Sequence, residues 1–416
     1  MKKNQGFTLI ELLAVVVILA IVALISVPLI MNVIDGARKG ALQNTAYGIA
    51  EAGKYAFTNE VIKDGSASFT AYTYENGVET SSPAGKSLSY KGEKPKTGTI
   101  LINSKGDIAM SVYNGKYCAE KGFDDVEVTV SEKTETDCKL VEALTEVEVL
   151  VVAGGGSGGT STGAHQPGGG GAGGLLHQQV YSVTAGTPIT IVVGNGGNSV
   201  LGAVHTPGNN GQNSVFGTLT AIGGGGGAGG TAGPAKIGGS GGGGHYQSTP
   251  TTGAAGTTGQ GNKGGDSLAQ SVGNYGGGGG GGAGEPGYTN LAGPRKQEGG
   301  NGLNFSDILG TSIGDDGWLA GGGGSGENGT FSAPGGKGGG GHAADTGTSD
   351  GYPGIPNTGG GGGSSRAGTS GAGGSGIVIV RYFGVQRANG GAVTMVGDYT
   401  IHTFTTGTAT FEPLEV

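Results

Sequence analysis

The chain has 416 residues, room for two or three domains, and 100 of them are glycine, several times the roughly 7% of an average protein. A formal net charge of −8 with only 13% charged residues excludes a nucleic-acid surface built on phosphate neutralisation. The glycines are segregated, thirteen in residues 1–146 and eighty-seven in 147–416, which places a domain boundary by composition.

Lys2 and Lys3 open a short polar leader that ends at Gly6, and Leu12 to Met31 then gives twenty residues in which Ser26 is the sole polar side chain. Twenty apolar residues are what an α-helix needs to cross a hydrocarbon core of about 30 Å. The lysines hold the leader in the cytoplasm and place everything after the span outside. A secretory signal peptide fits poorly, because its apolar core is shorter and a small-residue cleavage site follows it. Glu11 stands at the lip of the span, where a carboxylate is costly without a partner. Past Met31 the apolar positions Val33, Ile34, Ala37, Ala41, Leu42, Ala46, Ile49, Ala50, Tyr55 and Val61 recur near helical spacing. One helix is predicted from about residue 8 to about residue 61, greasy in its first half and amphipathic in its second.

Gly6-Phe7-Thr8-Leu9-Ile10-Glu11, set against such a span, resembles the processing motif of type IV prepilins and pseudopilins. The resemblance implies cleavage after Gly6 by a prepilin peptidase and methylation of the new N-terminus, Phe7. It gives Glu11 an assembly role, meeting the N-terminal amine of a neighbouring subunit. Pro28 falls where such helices carry a proline that loosens them during filament packing. Other pilin subunits become the partners of the helix. The cytoplasmic membrane holds it before assembly, and the pilus at the cell surface is its destination.

Residues 65–145 change to short alternating runs: Ser68–Tyr74, a turn at Glu75-Asn76-Gly77, Thr99–Ile102, Ile108–Tyr113, a hairpin signal at Asn114-Gly115, and Val126–Val130. A long helix on an antiparallel sheet is the expected head. Cys118 and Cys138 lie in the part predicted to be extracytoplasmic, where a disulfide is the expected state and two free buried thiols are the alternative. Asn114 to Cys118 and Asp137-Cys138-Lys139 look like the C-terminal disulfide loop of pilins.

Val147 to Ala153 opens a new strand that runs into Gly154-Gly155-Gly156. Gly154, Gly156 and Gly159 meet the spacing of a dinucleotide-binding turn, but Thr160 to Pro167 followed by four glycines cannot supply the helix that such a site requires. Gly85-Lys86-Ser87 fails as a phosphate loop, with Thr80 where the first glycine belongs. Further strands are predicted at Leu175–Val183, Pro188–Val193 and Gly376 to Tyr382. The glycine runs between them lack the strict period of collagen, and a disordered linker is the bland reading. Glycine segments can also pack as polyproline-II helices held by close backbone contacts. Val149 to Gly156, Ile191 to Gly197, Gly211 to Phe216 and Gly373 to Tyr382 look like the glycine-rich domains of phage tail adhesins and bacterial surface proteins. Tyr399 to Phe404 alternates as a strand and is expected to join the sheet of the opening and closing strands.

Six histidines (165, 177, 205, 245, 342 and 402) form no H-x-x-x-H pair, Asp315-Asp316 reads as a solvated turn, and no nucleophile motif appears. No metal, cofactor or catalytic residue is assigned. Tyr246, Tyr288, Trp318 and Tyr352 are the candidate recognition residues, since exposed aromatics on a rigid base serve binding surfaces; their alternative role is to cap glycine layers as a small core. The expected fold is an α+β pilin head on a long N-terminal helix, followed by a mainly-β glycine-rich domain with packed polyproline-II-like segments. Its parts are a leader (1–6), the helix (7–61), the head (62–146), the glycine-rich domain (147–383) and closing strands (384–416). The function expected is that of a minor, tip-located type IV pilus subunit whose glycine-rich domain attaches to a surface receptor or glycan. A pseudopilin of a secretion or DNA-uptake system and a pilin with a non-binding glycine coat are the alternatives.

Overall fold

The computed structural model describes residues 8–416 other than 66, 68–69, 83–84, 104, 141–142, 163–164, 203–204, 231–232, 247–250, 268–275, 290–295, 328–330, 346–349, 385, 398 and 415–416. It divides into two compact units, Met1–Glu142 and Ala143–Val416.

In the first unit α1 runs unbroken over Leu9–Asp64, through Pro28, from a Thr8 cap to a left-handed Gly65. Its buried positions Leu42, Thr45, Ala46, Ile49, Ala50 and Gly53 form one stripe at helical spacing. The stripe packs on a six-stranded antiparallel sheet: β1 (Thr70–Glu75), β2 (Val78–Ser82), β3 (Thr97–Ile102), β4 (Ile108–Tyr113), β5 (Tyr117–Lys121) and β6 (Thr129–Glu132), in the order β2-β1-β3-β4-β5-β6. Ile100, Ile102, Ile108, Met110, Val112 and Tyr117 supply the sheet's side of that core. Gly53 permits the approach, because a Cβ there would lie 2.8 Å from the Ile108 side chain. Asn76 and Gly77 both take positive φ in the β1–β2 turn, as the Asn-Gly signal requires.

The strand predicted at Val126–Val130 is displaced. Val126 is 89% exposed and pairing starts at Thr129. The helix is the cause: Gln43 Nε2 donates to Val128 O, and Val128 N–H donates to Tyr47 Oη, so the backbone of Val128 is taken before a ladder can reach it.

The second unit holds two five-stranded antiparallel sheets. Its strands are β7 (Glu146–Val152), β8 (Leu175–Ser182), β9 (Ile189–Val193), β10 (Ser214–Phe216), β11 (Leu219–Ala221), then two short ribbons, β12 (Leu303–Asn304) with β13 (Trp318–Leu319) and β14 (Gly326–Glu327) with β15 (Phe331–Ser332). The one-turn α2 (Ser306–Leu309) lies between β12 and β13, and β16 (Ile377–Phe383), β17 (Ala388–Asn389), β18 (Ala392–Val396), β19 (Tyr399–Phe404) and β20 (Gly407–Pro413) close the chain. The sheet orders are β18-β19-β16-β7-β8 and β11-β10-β9-β20-β17. The opening and closing strands do pair, β7 with β16, and β19 joins them as expected. The tail also does something more: β20 pairs with β9 and so completes the other sheet.

Burial on both faces explains the mostly apolar sequences of β7 and β16, whose successive residues alternate between two cores. Val147, Val149, Val151, Val378, Val380 and Tyr382 face the second sheet with Ile191, Phe216 and Phe411. Leu150, Val152, Ile377 and Ile379 face the opposite way, onto Phe305, Leu309 and Leu319. Glu148 sits on that second face and is held by Arg381 and His177, with the Arg381 guanidinium 3.5 Å from the Tyr399 ring centroid.

Candidate functional sites on the helix and the glycine lattice

The first site is α1 itself. From Leu9 to Ile34 its large apolar side chains are exposed, a face that water alone cannot accommodate. Thr8 and Glu11 form a reciprocal cap: Thr8 N–H and Oγ1–H donate to Glu11 Oε2 at 2.9 and 2.8 Å, and Glu11 N–H donates to Thr8 Oγ1. Gly6 and Phe7 lie outside the described residues. Further along, Lys116 Nζ donates to Asp35 Oδ1 at 3.0 Å and ties the β4–β5 turn to the helix, which holds the Asp35 carboxyl below its ordinary range. Behind that turn Cys118 and Cys138 are joined in a disulfide, both buried, with Cα atoms 5.6 Å apart.

The second site is built on the glycine runs, which form neither α-helix nor β-sheet. The 168–174 segment shows the rule. Gly168, Gly171 and Gly174 donate to the carbonyls of Ala228, Gly225 and Ile222; Gly169 and Ala172 donate to Gly278 and Gly281; Gly170 and Gly173 donate to Gly362 and Gly359, all at 2.8–3.0 Å. Donors that rotate among three neighbours with a period of three mark a helix of three residues per turn, the polyproline-II geometry. The carbonyls rotate likewise: Gly168 and Gly171 accept from Gly159 and Gly156, Gly169 and Ala172 from Gly243 and Ser240, and Gly170 from Gly323. One segment thus bonds to six others.

No glycine within 154–159, 168–174, 223–227 or 276–284 takes a positive φ. Glycine is required here for close approach rather than for turning. A Cβ on Gly169, Gly170 or Gly173 would stand 2.1, 2.2 or 2.0 Å from a carbonyl oxygen of the next segment. The second α-hydrogen points there instead, as a Cα–H···O contact. The exceptions inside the runs have partners of their own: the methyl of Ala172 joins the apolar layer under β7, and Ser157 Oγ accepts from Asn209 N–H.

Registers give the lattice two ends. Ala153 and Gly174 pair next to β7 and β8, whereas Gly159 and Gly168 pair at the end away from the sheets. The predicted aromatics separate accordingly. Trp318 lies at the sheet end in β13, beside Leu319 of the apolar layer, with Lys337 Nζ 5.2 Å from its ring centroid. Next to it Asp315 accepts from Gly338 and Gly339 N–H, so half of the Asp315-Asp316 pair is a backbone anchor. Tyr246, Tyr288 and Tyr352 lie toward the far end. Tyr352 is 49% exposed, and its hydroxyl donates to Asp345, which pushes the phenol above its ordinary pKa. Tyr288 is half-buried and donates to Glu285. Tyr246 is only 8% exposed, its backbone paired with Gln166 in both directions, and so it offers no aromatic face.

Sequence reading missed a group at this far end. His165 and His205 meet ring to ring at 4.7 Å, and the Gln166–Tyr246 bridge brings His245 to the same end. Nothing in their local context marks them; the one trace is an even spacing of forty residues, as the chain returns twice to the same end. Among the described residues no group of three His, Cys, Asp or Glu side chains is set to hold a metal ion.

Comparison with known families gives two matches. Residues 1–27 match the prokaryotic N-terminal methylation motif, and residues 130–383 match the family described as glycine-rich domain. The second match begins within β6, ahead of the division between the units. No curated protein and no solved structure matches the chain. With its apolar helix, the first match marks a membrane-anchored prepilin, processed by prepilin peptidase and assembled with other pilins at the cell surface. The second match spans more than half of the chain, and this protein belongs to the glycine-rich domain family, carried behind a type IV prepilin motif.

Proposed function

We propose that the protein is a minor type IV pilus subunit, placed at the filament tip, whose glycine-rich unit attaches the pilus to a surface receptor or glycan. One observation carries the reading: the lattice fixes many segment ends together at the end away from its sheets, and Tyr352 and Tyr288 stand toward that end. Rigid backbone bonding with exposed side chains at the segment ends is the economy of a recognition surface, where loops vary and the base does not. The helix and disulfide-closed head serve as anchor and spacer. In this reading Phe7 is the methylated terminus after cleavage at Gly6, Glu11 meets a neighbour's terminus, and Pro28 softens the helix during packing.

The test is a chromosomal truncation after residue 142 in the host cell, scored for pili by electron microscopy and for adherence. Normal piliation with lost adherence supports the proposal. Unchanged adherence sinks it and leaves a coat, and a defect in secretion or DNA uptake with unchanged adherence points to a pseudopilin.

A further inference from the structure

The histidine group at the far end of the lattice is assembled from three separate segments. His165 leads into the 168–174 run, His205 leads into 206–212, and His245 follows 238–244. Short polar bonds knot these segments. Thr160 and Thr206 exchange N–H···O bonds, Gln166 and Tyr246 do the same, and Ser161 Oγ–H donates to His165 O. Thr251 and Ser267 hydroxyls both donate to His245 O.

This knot has no room for protons. Among the described residues His165 Nδ1 is buried without a partner, and so is Nε2 of Gln166, a residue that is 1% exposed. A proton on His165 would make Nδ1 a buried donor with no acceptor among the described residues. His205 Nδ1 accepts from Thr162 N–H at 3.4 Å, and protonation would turn that acceptor into a second donor. The imidazoles also face one another. Burial pulls His165 and His245 below the ordinary histidine pKa, and the neighbouring histidines pull them further. Among the described residues the other titratable side chains on the segments packed here are Tyr246, Lys236, Arg366 and Asp266, the last bonded to Gly253 N–H and Lys263.

We propose that His165, His205 and His245 form a proton-responsive joint that locks the far end of the lattice when neutral and releases it on acidification. The sign follows from linkage. Groups whose pKa is depressed in the closed form stabilise it fully above the ordinary histidine value of about 6.5 and cease to do so as pH falls below it. Charges on the contacting His165 and His205 rings, with His245 next to the Gln166–Tyr246 bridge, repel one another, so the segments part. Any consequence for attachment rests on the function proposed above; the joint itself does not.

The test is hydrogen exchange on the full chain in detergent micelles between about pH 7.5 and about pH 5, the interval over which histidine titrates. After correction for intrinsic rates, the amides of residues 159–161, 166 and 243–246 are expected to lose protection several-fold. Peptides over 168–174 and over 399–404, which holds the buried His402, are expected to stay protected. Combining His165→Gln, His205→Asn and His245→Gln is expected to abolish the loss, because Asn retains an acceptor for Thr162. His205→Asn alone, expected to reduce the loss, serves if the triple variant is unprotected at high pH. Equal protection at both pH values overturns the joint, as does a loss that the variants share or one that spreads to 168–174. Because exchange is read without any receptor, this result is independent of the adherence assay.

Discussion

The two units solve the same problem with opposite materials. In the first, side chains do the packing: Leu42, Ile49, Ile100 and Met110 fill the space between helix and sheet, and glycines enter singly where a neighbour comes close, as Gly53 does under Ile108 and Gly98 beside Ser111. In the second, the sheets keep a side-chain core, but the lattice beyond them is backbone packed on backbone. Its stability comes from N–H···O bonds and Cα–H···O contacts, each small, repeated around every segment. The difference shows that a glycine run without Cβ atoms can be as specific as a hydrophobic core, provided that every donor finds an acceptor.

The sharpest way to break the lattice is one methyl at its centre. Gly170→Ala would place Cβ 2.2 Å from Gly156 O in a segment bonded on all sides. The expected loss is about 4 kcal/mol or more, at the exceptional end for single substitutions, read as early denaturant unfolding of the second unit alone. An intermediate effect belongs to the head. Replacing Cys118 and Cys138 by serine removes a cross-link between residues twenty positions apart and should cost the first unit about 3 kcal/mol, with the lattice transition unmoved. The smallest effect has the opposite sign. Gly40→Ala, on α1 with nothing within 4 Å of the new methyl, should stabilise the helix by roughly 0.5–1 kcal/mol in urea unfolding monitored by circular dichroism. Equal outcomes for Gly40→Ala and Gly170→Ala would erase the distinction drawn between the two units.

Much of the architecture was legible beforehand. The apolar run and the helical spacing after it specified α1 closely, ending at Asp64 rather than near Val61 because Gly65 supplies the left-handed stop. The Asn76-Gly77 turn and the continuous valines of β7 and β16 were equally plain, since those signals are local. The sequence after Gly159, unable to form a helix, disposed of the dinucleotide motif, and Gly154 to Gly159 make one of the lattice segments. Less accessible was β6, because Gln43 and Tyr47, eighty residues away, decide where its pairing starts. Tyr246 was chosen as an exposed aromatic, and nothing in its neighbourhood foretold that Gln166 would take its backbone and bury it.

By itself, then, the sequence determined the membrane-anchored helix, the motif that marks it for processing, the disulfide-bearing head and the capacity of the glycine runs to pack. Those are properties of periodicity, charge and composition, readable within a few residues of each other. Tertiary structure alone decided which run lies beside which, where the lattice ends, and that His165 and His205 meet there with His245 at the same end. The physical reason is that lattice neighbours recognise one another through N–H and C=O groups, which are the same in every glycine. Partner choice is therefore left to the sheets that fix the chain's starting points and to the length of each excursion before it returns.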